Sequence, residues 1–70
     1  MVIKIIGERI RQIRTSQNLS QEQLAFNAKL DRTYIAGVES GRRNPTIKSL
    51  EKIFSALKIS FKDFFSTVQC

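Results

Sequence analysis

Seventy residues hold one domain at most, and a chain of this size buries only about 60% of its unfolded surface, so its core is small. Twelve Lys and Arg against six Asp and Glu leave a net charge of +6, which points to a polyanionic partner. A single cysteine, Cys70, and no histidine exclude an internal disulfide framework and a Cys/His zinc site, and a lone thiol fits a reducing cytoplasm. No stretch approaches the roughly 18 apolar residues that span a bilayer. Residues 1–6 are apolar, but Lys4 breaks them and Glu8, Arg9 and Arg11 follow, which is too short for a signal-peptide core. The expectation is a soluble cytoplasmic protein with no membrane association.

The first helix is predicted over 3–17, where Ile3, Ile6, Ile10 and Ile13 form an apolar stripe at helical spacing. Asn18 tolerates the left-handed geometry that ends a helix. Ser20 with Gln23 three residues on makes a capping box for a second helix that runs to about Asn27 or Ala28, and Leu19 and Leu24 are placed as its hydrophobic staple. Leu24, Ala25 and Ala28 give that helix its inner face. Asp31 is the N-cap candidate of a third helix, from Arg32 to about Glu39 or Ser40, with its carboxylate set to accept the amide of Thr33 or Tyr34. Ile35 and Val38 are its inner face, and Gly41 supplies the left-handed residue after it. Residues 42–45 form a loop closed by Pro45. Thr46 caps a fourth helix over 47–57, with Ile47, Leu50, Ile53, Phe54 and Leu57 on one face. Ser60 and Asp63 cap a last helix over 61–67, whose apolar side is Phe61, Phe64 and Phe65. The pattern is all-α: five short helices around one core, a single domain over 1–70.

The second and third helices, joined by a tight turn with Leu30 pointing back into the core, make a helix-turn-helix unit. The second helix of such a unit can enter the DNA major groove and read bases with its N-terminal residues. With Ile35 and Val38 turned inward, Arg32, Thr33, Ala36 and Gly37 face out. Arg32 can bind guanine O6 and N7 bidentately, Thr33 can hydrogen-bond a base, and Ala36 can meet a thymine methyl. The amides at the start of the second helix, with Gln21 and Gln23, suit a phosphate. Tyr34, Arg42, Arg43, Asn44 and Lys48 offer donors for further phosphates. Each of these side chains also fits an ordinary solvated surface, and the motif is what favours contact. Arg14 and Glu39 fall beside the core, where a pair would tie the first helix to the third.

Residues 20–53, SQEQLAFNAKLDRTYIAGVESGRRNPTIKSLEKI, resemble the phage-repressor-like (Xre-type) helix-turn-helix family. The resemblance runs from Gly7-Glu8-Arg9-Ile10 to Phe64-Phe65. The run from Leu30 to Ile35, with Gly37, Glu39 and Asn44-Pro45-Thr46, looks like the controller proteins of restriction–modification operons. The resemblance implies a compact five-helix, lambda-repressor-like domain that dimerises. It implies base contacts at Arg32 and Thr33, phosphate contacts around Gln21, Tyr34, Arg43, Asn44 and Lys48, and an Arg14–Glu39 ion pair. Lys29 departs from the pattern: this turn position is often glycine in the family, so Lys29 must take a left-handed conformation or the turn must differ.

One module contacts too few base pairs to single out a site in a genome, so paired half-sites about 34 Å apart are the usual solution. The chain's end carries Leu57, Ile59, Phe61, Phe64, Phe65 and Val68, more apolar surface than so small a core needs. Most of these can pack internally; Ile59, Phe61 and Phe65 are the candidates for a homodimer interface. The expected partner is double-stranded DNA bearing a palindromic operator, with no cofactor, metal or small-molecule ligand. An enzyme is not expected: there is no histidine for acid–base work, the one thiol is terminal, and no Gly-rich phosphate loop exists. The alternative role is an antitoxin or phage-type repressor on the same scaffold, but few residues follow Phe65 to hold a toxin. A membrane-active cationic helix is excluded because each helix has caps and a partner face.

Overall fold

The computed structural model describes residues 2–66, with the backbone alone described at Val2. Val68 and Cys70, and the end of the fifth helix as expected from the sequence, lie outside the described residues. Five helices follow in order: α1 (Val2–Ser16), α2 (Gln21–Ala28), α3 (Arg32–Glu39), α4 (Ile47–Leu57) and α5 (Phe61–Ser66). No strand occurs among the described residues.

Helix starts are fixed by side chains. The Ser20 hydroxyl accepts from the Gln23 amide at 3.0 Å, and the Gln23 side chain accepts from the Ser20 amide at 2.8 Å, so the capping box closes both ways. Thr46 accepts from the Ser49 amide and Ser60 from the Asp63 amide, each at 3.0 Å. Asp31 differs from the expectation. It sits at the N-cap of α3 in extended conformation, but its side chain makes no cap hydrogen bond. Its carboxylate accepts the Thr33 hydroxyl instead, a charged acceptor taking a nearby O–H in place of the backbone amide.

Helix ends share one device. The amides of Leu19, Leu30, Arg42 and Ile59 reach back five residues, to the carbonyls of Arg14, Ala25, Gly37 and Phe54. The residue before each has a positive φ: Asn18 (60°), Lys29 (58°), Gly41 (80°) and Lys58 (59°). This is the Schellman closure, which satisfies otherwise unpaired carbonyls and turns the next residue inward. Leu19, Leu30 and Ile59 accordingly pack on the core, half-buried. Lys29 therefore takes the left-handed conformation, and the turn between α2 and α3 keeps its form without glycine.

The core is Ile6, Ile10, Leu24, Ala25, Ile35, Val38, Leu50, Ile53, Phe54, Leu57 and Phe64. α3 packs on both α1 and α2, and α2 also packs on α4. Phe54 stacks on Phe64 with ring centroids 4.4 Å apart and meets Phe61 edge-on at 4.7 Å, which fastens α5 to α4. Ile47 corrects the expectation for α4: it is 68% exposed. Its period matches Leu50, but as the first residue of the helix it projects past the layer that covers the others.

Gly7 explains how close α1 comes to α3. A Cβ there would stand 2.1 Å from the Val38 carbonyl oxygen and 3.0 Å from that of Glu39. Both are backbone atoms, so no rotamer change could make room. A glycine inside a helix costs about 1 kcal/mol relative to alanine, and this contact is its reason.

Candidate nucleic-acid interface

α3 is held from behind by a buried charge network. The Arg14 Nε donates to Glu39 Oε2 at 2.7 Å and its Nη2 to Oε1 at 3.1 Å, a bidentate pair. The remaining guanidinium nitrogen donates to the Leu19 carbonyl at 2.7 Å. The two side chains are 10% and 3% exposed. Glu39 Oε1 also accepts from Gln21 Nε2 at 3.0 Å. One cluster thus joins the end of α1, the start of α2 and the end of α3. Among the described residues every buried side-chain nitrogen and oxygen has a hydrogen-bond partner. A second tie, from Gln17 Nε2 to the Leu57 carbonyl at 2.8 Å, links the end of α1 to the end of α4.

With its back fixed, α3 presents Arg32 and Thr33 exposed and Ala36 and Gly37 half-buried. The Thr33 hydroxyl proton is turned to Asp31, which leaves its oxygen as an acceptor. The loop after α3 carries Arg42, Arg43 and Asn44, all exposed, with Lys48 exposed on the first turn of α4. The loop is not slack: the amides of both Arg42 and Arg43 donate to the Gly37 carbonyl, at 2.9 and 3.0 Å. A Cβ on Gly37 would lie 3.2 Å from the Arg43 Cβ, so this glycine gives the loop room to fold back. The Arg43 guanidinium lies 5.1 Å from the centroid of the Tyr34 ring. The Tyr34 oxygen accepts a long contact from the Thr46 amide at 3.4 Å, so its own proton remains to be donated.

Placement differs among the remaining sequence candidates. The Gln21 side chain is engaged with Glu39, and the Gln23 carbonyl oxygen is engaged in the capping box, while among the described residues the Gln23 NH₂ has no hydrogen-bond partner. Ile59 and Phe61 are half-buried against their own core, whereas Phe65 is 42% exposed, its inner edge on Phe64 at 5.0 Å. Sequence reasoning missed the Gln21–Glu39 bond and the close contact at Gly7. An interior glycine beside an apolar stripe was the available signal for the second. Among the described residues no helix is long and apolar enough to cross a membrane.

This geometry is that of a helix-turn-helix protein. The helix-turn-helix family pattern matches residues 10–64. Control protein C.BamHI of Bacillus amyloliquefaciens is 46% identical over 67 residues, covering 91% of this chain and 83% of its own. The crystal structure of the restriction-modification controller protein C.AhdI from Aeromonas hydrophila superposes with a TM-score of 0.87 at 43% identity, covering 90% of this chain and 96% of the other. The controller C.Esp1396I, seen as a tetramer in complex with its natural 35 base-pair operator, superposes at 0.90 and 42% identity, covering 94% of this chain and 87% of the other. The chain belongs to the helix-turn-helix family and, within it, to the restriction–modification control proteins.

Proposed function

We propose that this domain, the whole of residues 1–70, is a cytoplasmic transcription regulator that binds a palindromic operator as a homodimer and controls a restriction–modification operon. The observation that carries the reading is the exposed Arg32–Thr33 pair at the start of a helix whose opposite side is locked by the Arg14–Glu39 network. Likeness to a controller crystallised on its operator supports it. α3 lies in the major groove, where Arg32 takes guanine O6 and N7, Thr33 hydrogen-bonds a base and Ala36 meets a thymine methyl. Gln21 and Gln23, at the amide end of α2, meet one phosphate run. Tyr34, Arg42, Arg43, Asn44 and Lys48 meet another. Phe65, together with Ile59 and Phe61, forms the dimer contact, and the second copy sets the half-site spacing. Catalysis plays no part in this reading.

The test is enrichment of duplexes from a random-sequence pool, followed by anisotropy titration. The expected result is a palindromic sequence bound by two protomers, with log K falling linearly as log salt rises. Failure to enrich any sequence, or binding indifferent to salt, would reject the reading.

A further inference from the structure

Two shallow grooves flank α3 and share its outer ridge, Ala36 and Ser40. One, of about 410 Å³, is lined by Thr33, Ala36, Gly37, Ser40 and Arg42. The other, of about 260 Å³, is lined by Ala36, Glu39 and Ser40 of α3, by Arg11 and Arg14 of α1, and by Gln21. Helical spacing puts Gly37 and Glu39 on opposite sides of the Ala36–Ser40 ridge, so the two grooves lie on opposite flanks of the helix.

The charges in the second groove do not balance. Arg14 and Glu39 neutralise each other through their bidentate pair, and Gln21 is neutral. Arg11 is left as the groove's net positive charge. Its side chain is exposed, and among the described residues its guanidinium has no hydrogen-bond or ion-pair partner. Its backbone carbonyl accepts from the Thr15 hydroxyl at 2.9 Å. A major groove about 12 Å wide is bounded by a phosphate strand on each side. A helix seated in it therefore has a polyanionic rail along both flanks. Arg42 stands over one of them, and Arg11 is the cation placed to stand over the other.

We propose that Arg11 is a phosphate-binding residue, contacting the DNA strand that borders the α1 flank of the recognition helix. The proposal rests on the reading that α3 enters the major groove. Arg11 adds backbone affinity and orientation without reading sequence, because the groove it lines runs along Glu39 and Ser40 at the C-terminal end of α3 and includes neither Arg32 nor Thr33.

The experiment compares wild type, Arg11→Ala, Arg11→Lys and the control Lys52→Ala. Lys52 lies by Lys29 at the far end of α2 from Ser20. Binding is followed by anisotropy on the duplex that wild type enriches from a random-sequence pool and on a scrambled duplex, at several salt concentrations. Circular dichroism and the urea midpoint verify that each variant is folded, and Arg11→Lys repeats the measurement with the charge kept. Arg11→Ala is expected to make the log K against log salt slope shallower by about 0.9 per protomer, about 1.8 for a dimer. It should weaken both duplexes by the same factor and leave base preference intact, while Arg11→Lys and Lys52→Ala keep the wild-type slope. An unchanged slope in Arg11→Ala overturns the assignment with the regulator reading intact. A loss confined to one base pair overturns it in favour of base reading. Salt-independent binding by wild type overturns both.

Discussion

Replacing Arg14 by alanine tests the buried network that fixes α3. The guanidinium meets Glu39 at 2.7 and 3.1 Å, with both side chains nearly out of water. Two unit charges about 4 Å apart attract by about 4 kcal/mol at an effective dielectric of about 20. Their desolvation offsets most of that gain in the intact pair, but truncating one partner leaves the other buried and unpaired, which costs about 3–5 kcal/mol. The Leu19 carbonyl loses its donor as well. A 70-residue domain has a total stability of about 3.5–10 kcal/mol. Arg14→Ala should therefore lose from about a third to all of its stability in water, with its urea midpoint about 3–5 M below wild type at a slope of about 1 kcal/mol per M. The double replacement Arg14→Met with Glu39→Leu removes both charges and should recover most of the loss. The assay is urea unfolding by circular dichroism on all members of the cycle. A loss in Arg14→Ala below about 1 kcal/mol would refute the reasoning, because it is what a solvent-screened surface pair gives.

Gly7→Ala should destabilise the fold by about 2 kcal/mol in urea: the clash is with the backbone oxygens of Val38 and Glu39, so overpacking costs about 3 kcal/mol, the upper end of its range, and the better helix propensity of alanine returns about 1; a stabilised variant would show that α1 does not approach α3 so closely. Lys29→Gly should raise stability by about 0.5–1 kcal/mol, since relief of the left-handed conformation outweighs the greater freedom of the unfolded chain; a net loss would mean that Lys29 is held there by contacts the strain argument omits. Phe65→Asp should keep the helical spectrum yet sediment as a monomer where wild type is dimeric; a dimer of undiminished strength would place the interface elsewhere.

Helix starts were legible in the sequence because a hydroxyl three residues ahead of the amide it caps is a local signal, and Ser20, Thr46 and Ser60 each supply it. The core faces of α2 and α3 were legible from spacing alone. Ile47 was misplaced because periodicity gives a direction around a helix and says nothing of whether a neighbour covers its first turn. Asp31 holds the N-cap position that the sequence indicates, but its carboxylate takes the Thr33 hydroxyl and not an amide, because capping competes with any other donor in reach. The Arg14–Glu39 pair spans 25 positions; helical spacing puts both residues beside the core, and a likeness to known domains joins them as an ion pair. Arg11 is not distinguished in the sequence from the other polar residues of α1, since the groove it lines exists only once α1, α2 and α3 are packed together.

The account centres on α3 reading base edges through Arg32. The most direct measurement selects duplexes from one random-sequence pool with wild type and with Arg32→Ala, then compares the enriched sequences and their affinities. The prediction is a palindrome for wild type, with Arg32→Ala losing preference at one base pair in each half-site and about 1–3 kcal/mol on the wild-type sequence. The same palindrome, enriched with the same affinity by both proteins, would contradict the assignment of α3 as the reading helix.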